Sequence, residues 1–133
     1  ARNWAYTAQR WSGWLALAFI LYHTLTLRFF DIAGGRENFF NYLAASFHNP
    51  LFTLAYLLGG ISVIFHFANG LCTFCMTWGI TVGPKSQKAM AGIAFAVGIA
   101  LLGMMLGSIY GFWSHYDPSM SAQAAAAVLE PLN

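Results

Sequence analysis

The fold is decided by the stretch Gly59–Thr81, GGISVIFHFANGLCTFCMTWGIT, which contains no Lys, Arg, Asp or Glu but carries a histidine, His66, in its middle. About 20 mainly apolar residues are enough for a helix to cross a membrane. The stretch therefore predicts a membrane-spanning helix. An ionisable residue inside such a helix is a functional candidate by default.

The helix face beside His66 carries only small or weakly polar side chains. Residues three, four and seven positions apart share a helix face. Around His66 these positions hold Gly59, Ser62, Asn69, Gly70 and Thr73. Each glycine lowers helix stability by roughly 1 kcal/mol relative to alanine, which suggests a geometric reason for both. A flat haem whose iron is bound by His66 needs such a clearing. The alternative is a buried histidine that hydrogen-bonds to a neighbouring helix.

Composition extends the membrane interpretation to the whole chain. Of its 133 residues 59% are hydrophobic and only 8% are charged, whereas a soluble domain carries about 25% charged residues. Uncharged runs at 11–27, 38–84 and 89–116 predict three spanning helices, with Asn49-Pro50 interrupting the long run. We expect an all-α integral membrane bundle, one domain over 1–133, whose predicted spans are residues 11–30, 51–78 and 87–113.

Shorter segments complete this prediction. The sequence 36–48 alternates aromatic and polar residues and predicts a short amphipathic interfacial helix that ends at His48, outside the site. Ser86 is suited to cap the third span. Glycines spaced four apart in that span predict a bare face for close packing against a neighbour; they are Gly103, Gly107 and Gly111. The alanine-rich tail 117–133 is uninformative beyond a possible surface helix.

Charges predict the orientation. The basic residues that lack acidic neighbours are Arg2, Arg10, Lys85 and Lys88. Positive residues favour the cytoplasmic side, so we expect the N-terminus and the loop 79–88 in the cytoplasm and the C-terminus outside. The net charge of +2 is too small to indicate nucleic acid. Cys72 and Cys75 lie in one helix, where packing is favoured over a disulfide.

A second histidine, His23, lies in the first predicted span within LYHTLTLR. Two helices with one histidine each are typical of bundles that hold haem between imidazoles. Depth in the membrane can be estimated at about 1.5 Å per helical residue. If Trp11 and Trp78 mark the inner edge of the membrane, His23 and His66 lie at equal depth and sandwich one haem. If Arg10 and Lys85 mark it, the depths differ by about 9 Å and each histidine belongs to a separate haem. Both alternatives stay open.

Four motifs carry a resemblance to a known family. The segments RNWAYTAQRWSG, LYHTLTLR, VIFHFANGL and TWGITVGPKSQK, in this order between Arg2 and Trp113, resemble the di-haem cytochrome b anchor of succinate:quinone oxidoreductases. Anchors of that kind have five transmembrane helices, of which this chain resembles the last three. The resemblance implies two haems b, with His23 on the outer one and His66 on the inner one. Their second ligands are then expected from a missing segment or a second membrane chain.

The resemblance also implies partners and a role. The anchor sits in the cytoplasmic membrane of a prokaryote, binds a flavoprotein and an iron–sulfur subunit, and passes electrons between the iron–sulfur subunit and menaquinone or ubiquinone. We find no acid–base or nucleophilic constellation, so the chain is expected to be a non-catalytic subunit of succinate dehydrogenase or fumarate reductase. Candidates for contacts with haem propionates, quinone or partner subunits are Arg10, Ser12, Trp78, Lys85 and Ser86.

Two alternatives remain for the same sequence. One is a different bis-histidine membrane cytochrome b that works with another dehydrogenase. The other is a haem-free helical scaffold, in which His23 and His66 are hydrogen-bonding core residues.

Overall fold

The computed structural model describes residues 2–28 and 39–119, and the side chains from residue 4 onward. Within these ranges the secondary structure is entirely helical. The helices are α1 (Arg2–Arg28), α2 (Phe39–Phe47), α3 (Pro50–Thr77) and α4 (Pro84–Ser114). The all-α prediction is therefore confirmed.

Local sequence explains where α3 begins and ends. The Asn49 side chain accepts a hydrogen bond from the Leu51 amide at 3.0 Å, and Pro50 occupies the first helical position, as is common at helix N-termini. At the other end Gly79 adopts a positive φ of 68°. This left-handed residue ends the helix, and the amides of Ile80 and Thr81 both donate to the carbonyl of Cys75.

Ser86 takes part in the cap of α4, but from the third helical position, because the N-cap residue is Gly83. Its hydroxyl accepts from the Gly83 amide at 3.2 Å and donates to the Gly83 carbonyl at 2.8 Å. Pro84 provides the first turn. The predicted spans 51–78 and 87–113 thus correspond to α3 and α4 within three residues at each end.

The first helix begins nine residues before the predicted span 11–30. α1 runs without interruption from Arg2 to Arg28, since the sequence has no proline here to break it. Residues 29 and 30 of the predicted span lie outside the described residues. By length and apolarity α3 and α4 qualify as membrane-crossing helices, whereas α1 has the length but carries more polar residues. Its passage through the membrane stays a prediction.

The long helices form a layer with α3 in the middle. α1 runs antiparallel to α3, because Gln9 contacts Asn69 while His23 contacts Tyr56. α4 also runs antiparallel to α3, because Gly98 lies opposite Ala68 while Met105 lies opposite Gly60. The two partners use different faces of α3, so α3 separates them. As a result, the start of α1, the end of α3 and the start of α4 lie at one end of the layer.

The helix α2 covers the opposite end. α2 lies within the predicted segment 36–48, of which residues 36–38 are outside the described residues, and its position at the membrane interface stays a prediction. Its buried face is formed by Leu43, Ala44 and Phe47, and a small core joins Leu43 and Phe47 to Tyr56 of α3, with Phe112 of α4 packed against it. α2 thus ties α3 to α4 beside His23.

Most of the layer is open. In the most apolar windows of α3 and α4 only 6% of residues are buried, and large side chains such as Leu58 and Phe95 are 60% and 71% exposed. Exposed apolar area of this extent is unfavourable in water at about 25 cal/mol per Å². Lipid or further helices are therefore needed to cover it.

The predicted close-packing face of α4 has no neighbour among the described residues. A Cβ added at Gly103, Gly107 or Gly111 would meet nothing within 4 Å. α4 instead turns Gly98 toward α3, where an added Cβ would lie 3.6 Å from Ala68. The packing role of the three glycines stays a prediction. Of the predicted tail helix, residues 120–133 lie outside the described residues.

Candidate functional site

His66 is held against α1 by its ring nitrogen Nδ1. This atom lies 3.2 Å from the main-chain oxygen of Gln9 and 3.3 Å from the hydroxyl of Ser12. A carbonyl oxygen can only accept a hydrogen bond, so Nδ1 carries the proton and donates it. In the neutral ring the other nitrogen, Nε2, then keeps a free lone pair. This is the tautomer that a metal-binding imidazole needs when its second nitrogen is anchored to the protein.

Gly13 makes the close approach of the ring possible. A Cβ at this position would lie 3.0 Å from Cε1 and 3.4 Å from Nδ1 of His66. Such contacts are tighter than ordinary packing allows. The imidazole therefore lies where a side chain on α1 would be, and this is the geometric reason for a glycine at the crossing.

Ser12 is the one predicted contact residue that the structure brings to a histidine. Its side chain is buried, with 7% of its surface exposed. The hydroxyl donates to the Gln9 carbonyl at 3.1 Å and is oriented to accept from His66. Its observed partners are thus main chain and imidazole.

Gln9 and Asn69 complete this arrangement, and neither is among the contact residues predicted from the sequence. The Gln9 amide nitrogen donates to the main-chain oxygen of His66 at 3.2 Å, and the Asn69 amide nitrogen donates to the Gln9 side-chain oxygen at 2.8 Å. The spacing in the sequence was a signal for Asn69, because this residue lies one turn from His66 on the same helix face. Nothing in the sequence alone paired Gln9 with α3.

His23 has a different partner. Its Nδ1 lies 3.2 Å from the phenol oxygen of Tyr56. A phenol both donates and accepts, so this contact is compatible with either tautomer of the imidazole. Only the form in which Nδ1 donates to Tyr56 leaves Nε2 free for a metal. The ring also packs beside Phe19, with 5.8 Å between centroids.

A cavity of about 280 Å³ adjoins His23, at the end of the layer covered by α2. It lies between all four helices and is lined mainly by aromatic and aliphatic side chains. The lining includes Phe19, Tyr56, Met105, Ser108 and Phe112. The Ser108 hydroxyl donates to the Met104 carbonyl at 2.9 Å, so it is already partnered within its own helix.

The register between α1 and α3 puts the two histidines at different levels. His66 lies at the level of Gly13, and His23 lies at the level of Tyr56. These two levels are ten residues apart on each helix, from Gly13 to His23 on α1 and from Tyr56 to His66 on α3. Ten residues correspond to about 15 Å at 1.5 Å per residue. Two imidazoles on one metal would have their ligating nitrogens about 4 Å apart, given metal–imidazole bonds of about 2 Å. The arrangement in which His23 and His66 sandwich one haem is therefore wrong for this structure.

The other predicted contact residues gather at the end of the layer nearer His66 but do not touch its ring. Arg10 is exposed, and its guanidinium carbon lies 5.8 Å from the centroid of the Tyr6 ring. Trp78 is 73% exposed at the end of α3, and Lys85 is exposed in the first turn of α4. Ser86 uses its hydroxyl in the cap.

Within the described residues no group of three or more His, Cys, Asp or Glu side chains could hold a metal ion. Cys72 and Cys75 are free thiols, as the packing interpretation predicts.

Two comparisons with known proteins give a match. Residues 1–105 match the model of the family described as succinate dehydrogenase/fumarate reductase transmembrane subunit. The chain is 36% identical over 111 residues to the succinate dehydrogenase cytochrome b558 subunit of Bacillus subtilis (strain 168), an alignment that covers 84% of this chain and 54% of that protein. The chain thus spans about half the length of this curated relative. No solved structure matches it.

Proposed function

Since the chain belongs to the family of succinate dehydrogenase/fumarate reductase transmembrane subunits, we propose that it forms part of a membrane anchor that binds haem b. In this proposal His66 and His23 would each hold the iron of a different haem. The anchor passes electrons between an iron–sulfur subunit and quinone, and it is a non-catalytic part of the oxidoreductase.

The observation that carries the proposal is the state of His66. Its Nδ1 donates to Gln9 at 3.2 Å, which leaves Nε2 as the metal-binding atom. Gly13 supplies the space for the ring. An imidazole that is bonded to the protein through one nitrogen and keeps the lone pair of the other fits a metal ligand. Gly59 and Gly70, by contrast, pack against Phe19 and Gln9 of α1, so this part of the small-residue face receives a helix.

The separation of about 15 Å between the two histidine levels supports two haems. Bound haem b would supply one-electron chemistry by cycling between ferric and ferrous iron. The residues of this chain would hold the iron through Nε2 and fix each ring through Nδ1, and the apolar helices would exclude water. For His23 this requires that Nδ1 donate to Tyr56.

The second axial ligands are proposed to come from a part of the anchor beyond the described residues or from another membrane chain. The open faces of α3 and of α1 support this, since helices that complete the bundle would cover them. The lipid bilayer would cover the remainder.

Charge supports a soluble partner at the end nearer His66. Arg10, Lys85 and Lys88 are exposed there, and no acidic residue occurs in the sequence from 1 to 30 or from 38 to 116. Basic residues favour the cytoplasmic side. We propose that this end faces the cytoplasm of a prokaryotic cell, toward an iron–sulfur subunit that carries electrons from a flavoprotein.

Further contacts are proposed at the same end. Arg10 and Lys85 have the charge to pair with haem propionates, and the indole of Trp78 has the shape to pack against quinone or a partner subunit. Ser86 and Ser12 have their hydroxyls engaged in the α4 cap and beside His66, so we assign them positioning roles here.

The test is the absorption spectrum of the detergent-purified complex before and after addition of succinate. We expect b-type absorption bands that succinate increases, because the flavoprotein and iron–sulfur subunit would deliver electrons to the haem. Dithionite added afterwards measures the total haem. A complex that retains both soluble subunits but has no b-type bands with dithionite would contradict the proposal and favour the haem-free scaffold.

A further inference from the structure

We propose that Gln9, Ser12 and Asn69 act as a clamp of positioning residues that fixes the tautomer and the ring plane of His66. The proposal rests on the proposed function, since it assigns these residues to an axial ligand of haem. Their residue types are uncharged and polar, and they lie on two different helices that meet at the histidine.

The first part of the clamp acts on the imidazole. The main-chain oxygen of Gln9, which in a continuous α-helix also accepts from the amide four residues on, receives the Ser12 hydroxyl at 3.1 Å and the His66 Nδ1 at 3.2 Å. The ring can reach this oxygen because Gly13, four residues further along α1, has no side chain to block it. Ser12 adds a second acceptor for Nδ1 at 3.3 Å. Two acceptors in different directions oppose rotation of the ring about its bond to Cβ.

The second part acts on the helix that carries the histidine. The Gln9 side chain donates to the main-chain oxygen of His66, and it accepts from Asn69. One residue of α1 therefore binds the ring of His66 through its main chain and the backbone of His66 through its side chain. Because both bonds start from Gln9, a shift of α1 along α3 would strain them together. The distance from the ring to its acceptor is thereby fixed.

The expected consequence is electronic as well as geometric. An imidazole that donates its second N–H to a carbonyl is a more basic ligand, and a more basic ligand favours ferric over ferrous iron. The phenol of Tyr56 is a weaker acceptor for His23 than an amide carbonyl is for His66. Loosening the clamp should therefore raise the reduction potential of the haem bound by His66 and leave the haem bound by His23 unchanged.

The experiment compares Gln9→Met and Asn69→Leu with the unmodified complex. Methionine keeps an unbranched chain of similar length without hydrogen bonds, while Asn69→Leu removes only the outer bond and leaves Gln9 bound to His66. Gln87→Met is the matched control, because Gln87 also donates to a main-chain oxygen, that of Thr81 at 3.4 Å, but lies in the first turn of α4. The readouts are a potentiometric titration of both haems and the largest g-value of each low-spin signal, which depends on the angle between ligand planes.

We expect both clamp variants to keep their haem, to raise the midpoint potential of one haem and to shift its g-value, with the larger effect in Gln9→Met and none in Gln87→Met. Unchanged potentials and g-values in both clamp variants would overturn the clamp. The proposed function fails by a different result, namely full haem content in His66→Ala. If the clamp variants show no change but His66→Ala loses a haem, the clamp is wrong and the assignment of His66 as a haem ligand still holds.

Discussion

α1 packs tightly against α3 at Gly59, and the replacement of this glycine by alanine is expected to force the helices apart. An added Cβ would lie 2.9 Å from the Cβ of Phe19 and closer still to its ring. Ordinary carbon–carbon contacts are about 3.5–4.0 Å, so relief requires a separation of about 1 Å. Phe19 cannot easily rotate away, because its ring packs edge-on against Tyr56 with 5.2 Å between centroids.

The expected magnitude follows from two opposing effects. Alanine gains about 1 kcal/mol over glycine in a helix, whereas overpacking costs about 1–3 kcal/mol. Because the clash involves atoms next to the main chain, we expect the upper part of this range and a net loss of up to about 2 kcal/mol. A separation of about 1 Å would also stretch the bond from His66 to Gln9, now 3.2 Å, beyond hydrogen-bonding distance.

The matched control is the neighbouring residue, Gly60. There an added Cβ would meet the side chain of Met105, with its sulfur nearest and its Cγ and Cε at 3.5 and 3.6 Å. Methionine adapts at little cost, so Gly60→Ala should be neutral or slightly stabilising. Thermal unfolding of the detergent-purified complex, followed by haem absorption and circular dichroism, measures both variants. Equal stability of Gly59→Ala and Gly60→Ala would refute the register on which the two histidine levels depend.

Two further substitutions test single contacts. Tyr56→Phe removes the hydroxyl 3.2 Å from His23 while keeping the ring, so a redox titration should show a shift in one haem and no change in the haem bound by His66. Ser86→Ala removes both bonds to Gly83 and should lower the free energy of unfolding by about 1 kcal/mol with an unchanged haem spectrum. A spectral change in Ser86→Ala would mean that Ser86 contacts the haem directly.

The helices themselves were accessible from the sequence because their signals are local. The bounds of α3 and α4 could be predicted to within three residues. The signals were uncharged runs long enough to cross a membrane, the Asn49-Pro50 pair and the glycine-proline link before Ser86. His66 stood out in the sequence as an imidazole among small residues in an apolar run, and its role as a haem ligand stays a prediction. Depth estimates failed to relate His23 to His66, because they depended on which aromatic or basic residue marks the membrane edge.

The register between helices is not a local property. It is set by shape, above all by Phe19 packing against Gly59 and by the ring of His66 lying against Gly13, and neither contact has a periodic signal. Gln9 was missed for a related reason. A single uncharged amide near a helix start resembles any surface residue until its partner on α3 is known.

The central claim is that His23 and His66 each bind a separate haem, and a haem count tests it most directly. The measurement is pyridine haemochrome per anchor in the purified complex, for the unmodified protein, His23→Ala, His66→Ala and the control His115→Ala, which removes an exposed histidine at the end of α4. We predict two haems in the unmodified protein and the control, and one in each of the other two variants. Loss of all haem from either single variant, or loss from neither, would contradict the account.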